Sequence, residues 1–193
     1  VKPGDRVAFH VDNCLEIAAL YFACFYTGAV AMPVSCFDAA AEAAYSISDC
    51  GAKTLITEPA LAFKLPEIKS QAPILENCFV LGKESVGDFP LWEDRVRQAA
   101  HTRIERVDLP ENASAVVLYT SGSTGRPKGV THTRGSLCSG VRNRCASFRH
   151  NSQDRFLIAS KLCHGAGLTS QLLPLAWCGG TTLCLRGHGP EDI

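Results

Sequence analysis

Between Tyr119 and Gly129 the chain reads Tyr-Thr-Ser-Gly-Ser-Thr-Gly-Arg-Pro-Lys-Gly, a run dense in groups able to hold an anion. Thr120, Ser121, Ser123 and Thr124 supply hydroxyls; Gly122 and Gly125 separate them, and Arg126, Pro127 and Lys128 follow. Glycine lets the backbone adopt positive φ and brings its N–H groups close to a ligand. Successive N–H groups in such a loop make an anion nest, to which a lysine ammonium adds a compact positive charge. Hydroxyls donate to phosphate oxygens or ligate a hard cation. The ligand this chemistry suits is the polyphosphate of a nucleotide. A flexible Gly/Ser/Thr linker shares the composition, but a linker need not emerge from the apolar run Ala115-Val116-Val117-Leu118 or close on a stiff Pro-Lys-Gly. The ordinary phosphate loop, G-x-x-x-x-G-K-[ST], is excluded because Pro127 precedes Lys128 and Gly129 follows it.

A second candidate is His164, beside Gly165 and Gly167, which would let a ligand come close. Taken singly it reads as an ordinary loop or core histidine. His132 reads as structural, and Arg134 as the solvated start of a helix.

The elements that must carry these groups alternate. Arg6–Val11 reads as a strand, and Asn13 with Glu16 forms a capping-box pattern for a helix over Cys14–Thr27, which Gly28 ends. Ala29–Val34 is the next strand, Ala39–Asp49 a helix stopped by Gly51, and Lys53–Thr57 a third strand. Ala60–Leu65 and Leu91–Ala100 read as helices and Cys78–Leu81 as a strand. A polar connector over 103–112 is a candidate seam. It leads to the strand Ala113–Tyr119, the helix Gly135–Phe148, the strand Arg155–Ser160, the helix Ala166–Ala176 and the strand Thr181–Leu185. Strands and helices in alternation with short links predict an α/β fold, a layered sandwich of mostly parallel sheet with crossover helices. The continuous apolar runs fit strands buried on both faces.

Composition narrows the setting. The chain has 193 residues, 19 basic and 19 acidic, so its net charge of zero gives no global pull toward nucleic acid or membrane. Eight basic residues against one acid lie between Ser121 and Lys161, a local excess that suits an anionic ligand. The region lacks the interleaved aromatics of a nucleic-acid surface. The ten cysteines include no C-x-x-C and the six histidines no H-x-x-x-H, so neither a zinc site nor a dithiol motif is expected. Free thiols in apolar runs suit a reducing compartment, the cytoplasm or an organelle matrix. The charge-free stretches 17–37 and 162–185 are interrupted by Gly28 and Pro33, and by Pro174 and Gly179-Gly180, so no membrane span is expected. Val1 in first place, Met32 as the sole methionine and an end at Ile193 without a terminal helix read as a processed or excised piece.

From Thr120 to Gly129 the run resembles the signature loop of the AMP-forming, adenylate-forming enzymes: acyl-CoA synthetases, luciferase and peptide-synthetase adenylation domains. The pattern there is hydroxyl-hydroxyl-Gly-hydroxyl-hydroxyl-Gly-x-Pro-Lys-Gly, met here at every position. Val130–Thr133, the early Gly28–Val34 with Asp49–Lys53, and Leu162–Gly167 with Gly179–Thr181 are similar to family segments in the same order. The resemblance implies residues 1–193 of a large N-terminal AMP-binding domain, incomplete and without its C-terminal lid. It implies a carboxylic acid attacking the α-phosphate of Mg·ATP to give an acyl-adenylate, then transfer to the thiol of coenzyme A. Thr120, Ser121, Gly122, Ser123, Thr124, Gly125, Arg126, Pro127 and Lys128 would embrace the β- and γ-phosphates. Lys128 would screen the departing pyrophosphate, Thr120 would be the hydroxyl nearest Mg²⁺, and His164 with Gly165 would meet the acid. The family's later Mg²⁺-ligating Glu, ribose-binding Asp and catalytic Lys have no counterpart here, so this stretch alone is expected not to turn over. A peptide-synthetase domain loading a carrier protein and a non-catalytic nucleotide-binding relative are the alternatives. The sequence does not fix the oligomeric state.

Overall fold

The computed structural model describes residues 1–83, 86–121 and 125–186. Six strands form one sheet: β1 (Arg6–His10), β2 (Val30–Val34), β3 (Thr54–Thr57), β4 (Asn77–Val80), β5 (Ser114–Thr120) and β6 (Lys128–Thr133), in the spatial order β4-β3-β1-β2-β5-β6. The first five run parallel, and β6 turns back antiparallel on β5 at the edge. The crossovers are α1 (Leu15–Thr27), α2 (Ala40–Cys50), a 3₁₀ turn (Pro59–Lys64) running into α3 (Leu65–Gln71), and α4 (Trp92–Ala99). After β6 come α5 (Arg134–Phe148), β7 (Arg155–Ile158), α6 (Gly165–Gly167), a π-helical turn (Leu168–Leu172), α7 (Leu173–Cys178) and β8 (Thr181–Cys184). β7 and β8 pair parallel in a small sheet of their own. The α/β reading, with a mostly parallel sheet and crossover helices, holds.

Alternation along the strands divides the core into two layers. Val7, Phe9 and Val11 face α1 and α5, packing with Ile17, Leu20, Tyr21, Leu137 and Val141. Ala8, Met32 and Val34 face the opposite way, against Ala43, Ala44 and Ile47 of α2 and Leu65 and Ile68 of α3. β2 is buried at all its positions, as a central parallel strand between two helical layers must be. Gly28 closes α1 at φ 79°, and a Cβ there would come within 3.0 Å of Leu109. The 103–112 connector thus lies against the end of α1, and Val107 N donates to Tyr26 O at 3.0 Å.

Several elements differ from the sequence reading. The Asn13–Glu16 capping box does not form: Cys14 is the N-cap of α1, without a side-chain cap. Asn13 is instead drawn to the far end of the β7–β8 sheet, where its side chain finds two backbone partners in the β7–α6 segment and a third, Leu185 O, just after β8. The reciprocal acid belongs to α2, where Ala39 N donates to Glu42 Oε2 at 3.0 Å. Residues 65–71 are helical, with Pro66 in the first turn, where its missing N–H costs nothing. Residues 128–133 are a strand, so Lys128 opens β6 and does not sit in the loop. The helix expected over 166–176 is broken by the π turn and continues to Cys178, ending on Gly179 at φ 76°. Among the described residues no helix is long and apolar enough to cross a membrane.

Candidate functional site

β5 carries Leu118, Tyr119 and Thr120 to the carboxyl end of the parallel sheet, where ligands of open α/β folds bind. The chain returns as β6, with Tyr119 opposite Gly129 and Thr120 opposite Lys128. β5 and β6 are therefore the two arms of a β-hairpin, with Thr120 and Ser121 at the end of one and Gly125 to Lys128 at the start of the other. Gly122, Ser123 and Thr124 lie outside the described residues; Gly125 is at φ 87°. Gly129 is small for a reason, since a Cβ there would meet Val117 Cγ1 at 3.0 Å and Tyr119 Cζ at 3.1 Å. The aromatic ring covers the glycine across the hairpin. Its hydroxyl donates to Asp49 Oδ2 at 2.6 Å, tying the hairpin to the end of α2. Burial first, and then that bond, pushes the Tyr119 phenol well up, so it stays a donor. Arg126 lies 5.8 Å over the ring of Tyr45, also on α2.

A cavity of about 610 Å³ opens beside the hairpin. Thr120, Ser121 and Pro127 border it from the hairpin tip, and Val130 and His132 from β6. Ser35, Asp38 and Glu42 come from the β2–α2 turn and the start of α2; Cys163, His164 and Gly165 come from the segment before α6. Of the residues singled out by sequence, the structure thus gathers Thr120, Ser121, Pro127, His164 and Gly165 around one space. Gly125, Arg126 and Lys128 do not border it. Period-two alternation nevertheless puts Lys128 on the same face of β6 as Val130 and His132, farther out and exposed. Arg134 is structural: its Nη1 donates to Phe25 O at 3.1 Å.

The His164 segment is held from below. Tyr21 Oη donates to Leu162 O at 2.7 Å, Leu162 N donates to Asn13 Oδ1 at 2.8 Å, and the Lys161 ammonium pairs with Asp12. Gly167 makes the turn possible, because a Cβ there would strike the Lys161 carbonyl and come within 3.0 Å of Leu162 Cα. His164 itself is exposed, with its ring free to meet a ligand.

Sequence reasoning missed His132, Asp38 and Glu42. Had residues 128–133 been read as a strand, alternation from Lys128 would have put His132 on the loop-facing side. The two carboxyls had no signal, because only the α2 packing turns them toward the hairpin. Burial and the neighbouring Glu42 raise Asp38 above the usual carboxylate range, opposed by Ser35, His164 and Lys64. The cavity thus has two carboxyls on the wall formed by the β2–α2 turn and the start of α2, facing the hydroxyls of Thr120 and Ser121.

The AMP-binding enzyme model matches residues 1–193. The long-chain-fatty-acid–CoA ligase FadD13 of Mycobacterium tuberculosis is 32% identical over 171 residues, covering 88% of this chain and 33% of that protein. The feruloyl-CoA synthase of an Amycolatopsis species is 32% identical over 195 residues, covering 100% of this chain and 36% of that protein. The crystal structure of the anthranilate CoA ligase AuaEII in complex with anthranoyl-AMP matches 97% of this chain and 36% of its own with a TM-score of 0.91. At 22% identity that likeness is one of fold. The chain spans about a third of the length of these curated relatives. A match along its whole length leaves one conclusion: the chain belongs to the AMP-binding enzyme family.

Proposed function

We propose that the protein containing this chain activates a carboxylic acid with ATP as an acyl-adenylate and passes the acyl group to coenzyme A. The observation that carries the reading is the meeting of the hairpin tip and the His164–Gly165 segment around one cavity. The relatives named for long-chain fatty acids and for ferulate support a fatty or aromatic acid as the substrate class.

In this reading the hairpin tip receives the β- and γ-phosphates through its hydroxyls and backbone N–H groups. Lys128, standing free at the exposed edge, offsets the charge that grows on the departing pyrophosphate, where a preorganised cation acts most strongly. Thr120 is a fitting single oxygen donor for Mg²⁺, an ion held mostly by substrate phosphates and water with few protein ligands. The imidazole of His164 meets the carboxylate at the far side, and Gly165 leaves room beside it. Asp38 and Glu42 make the α2 wall hostile to phosphate, which favours the nucleotide lying toward the hairpin.

The test is carboxylate-dependent ATP–pyrophosphate exchange by the full-length protein across fatty and aromatic acids. Lys128→Ala should lower kcat by about 10²–10³, the usual effect of removing one such electrostatic group. Its exposed position means that folding should be unaffected. If no acid supports exchange, or the alanine variant retains full exchange, the reading fails.

A further inference from the structure

We propose that Cys36 and Cys163 are a redox site, joined in a reversible disulfide by a hydroperoxide. The bond would tie the β2–α2 turn to the His164 segment at the edge of the cavity.

The two cysteines lie 127 positions apart in sequence, yet each thiol is the largest influence on the ionisation of the other. Cys163 borders the cavity, as does Ser35 next to Cys36. Cys163 is buried, 6% exposed, while Cys36 is half-buried and within reach of a small oxidant. Both backbones are fixed. Lys64 Nζ donates to Cys36 O at 3.3 Å and Asp38 O at 2.7 Å, and the Lys161 ammonium lies 5.7 Å from the Phe37 ring centroid. On the other side the bonds of Leu162 to Asn13 and Tyr21 hold the segment that carries Cys163. Neither thiol has to be brought from a distance.

The pair is also asymmetric in the sense that such chemistry needs. The neighbouring Cys163 thiol, aided by Lys161, draws Cys36 below the ordinary thiol range despite burial and Asp12. Cys163 is pushed the other way and is buried, so Cys36, the thiol that a peroxide can reach, is the attacking one and Cys163 the resolving one. The Cys36 sulfur attacks one peroxide oxygen; an S–O bond forms, the O–O bond breaks, and the leaving hydroxide takes the thiol proton as water. The Cys163 sulfur then attacks Cys36. An S–S bond forms, the S–O bond breaks, and the second hydroxide leaves as water with the Cys163 proton. Two thiols lose two electrons and hydrogen peroxide gains them. Cys145 and Cys178 are also neighbours, but burial pushes Cys145 up to about 11, which makes that pair the slower one.

The experiment treats the full-length protein with equimolar hydrogen peroxide, blocks remaining thiols by alkylation, and maps peptides without reduction. A Cys36–Cys163 cross-linked peptide should form before exposed Cys138 is measurably oxidised, because the resolving thiol already stands beside Cys36. Dithiothreitol should return both thiols, and in a Cys36→Ser variant Cys163 should remain fully alkylatable after denaturation. Cys36 advancing to sulfinic acid with Cys163 still free would overturn the proposal. A cross-link formed first between Cys145 and Cys178 would do the same. These readouts do not depend on which acid, if any, the protein activates.

Discussion

Replacing Asn13 by alanine should release the His164 segment from the main sheet. The Asn13 side chain is 2% exposed and spends all its usual bonding on backbone. Nδ2 donates to Ser160 O at 3.0 Å and Leu185 O at 3.1 Å, and Oδ1 accepts from Leu162 N at 2.8 Å. Three bonds at a net ~1 kcal/mol each give about 3 kcal/mol, with a larger loss if water does not fill the space and the orphaned groups stay dry. The loss is local, so the suitable assay is hydrogen–deuterium exchange of the full-length protein over residues 160–163. Since each 1.4 kcal/mol is about a factor of ten, protection of the Leu162 amide should fall by about 10²-fold. Asn13→Asp supplies a second, sharper comparison. It keeps the acceptor for Leu162 N but turns an oxygen toward two carbonyls and adds a buried charge beside Asp12. At neutral pH it should therefore cost more than alanine. Protection that falls less than fivefold in Asn13→Ala, or an aspartate tolerated better than alanine, would refute the account of this clamp.

Other perturbations follow from single groups. His10 is fully buried, neither ring nitrogen completes a hydrogen bond of ordinary geometry, and burial together with the Lys64 charge lowers it to about 4, the Ser35 backbone offsetting only part. Unfolded histidine titrates near 6.5, so between these values the unfolded chain binds the extra proton. The stability held by neutral His10 is full above pH ~6.5 and falls as pH drops toward 4, by about 3 kcal/mol in all. His10→Leu should lose that component, so its urea midpoint should shift less between pH 7 and pH 5 than that of the wild type; equal shifts would count against it. Gly167→Ala drives a Cβ into the Lys161 carbonyl, and overpacking of rigid backbone should cost about 1–3 kcal/mol, read as a lower melting temperature. An unchanged melt would mean that the turn before α6 is looser than its contacts indicate.

Much of this architecture was legible because parallel strands buried on both faces announce themselves as apolar runs. Val30–Val34 is such a run, and Gly28 and Gly51 mark the helix ends beside it at positive φ. What escaped reading was set by partners distant in sequence. Asn13 has the side chain of a helix cap, but 147 and 172 residues later two carbonyls compete for it and win. Lys128–Thr133 reads Lys-Gly-Val-Thr-His-Thr, with Val130 its one apolar side chain, since β6 is an exposed edge held by the β5 ladder more than by burial. The signature run was visible as phosphate chemistry, but not that its last residues, Lys128 and Gly129, already belong to a strand.

The strand position of Lys128 governs how the lysine can act. A cation in a free loop would lose much of its electrostatic effect to the disorder of its backbone. Lys128 is paired through its backbone with Thr120, so its Cα cannot drift from the hydroxyl across the hairpin. The strand behind it is tied in turn: the Tyr119 ring lies over Gly129, and the phenol is fastened to Asp49 on α2. Only the side chain is left to move, and a lysine side chain is long enough to follow a leaving group over a few ångströms. Anchored backbone and free ammonium together suit a group that must accompany charge as it develops and departs. In the proposed reading, Asp38 and Glu42 on the opposite wall would discourage phosphate from settling elsewhere in the cavity.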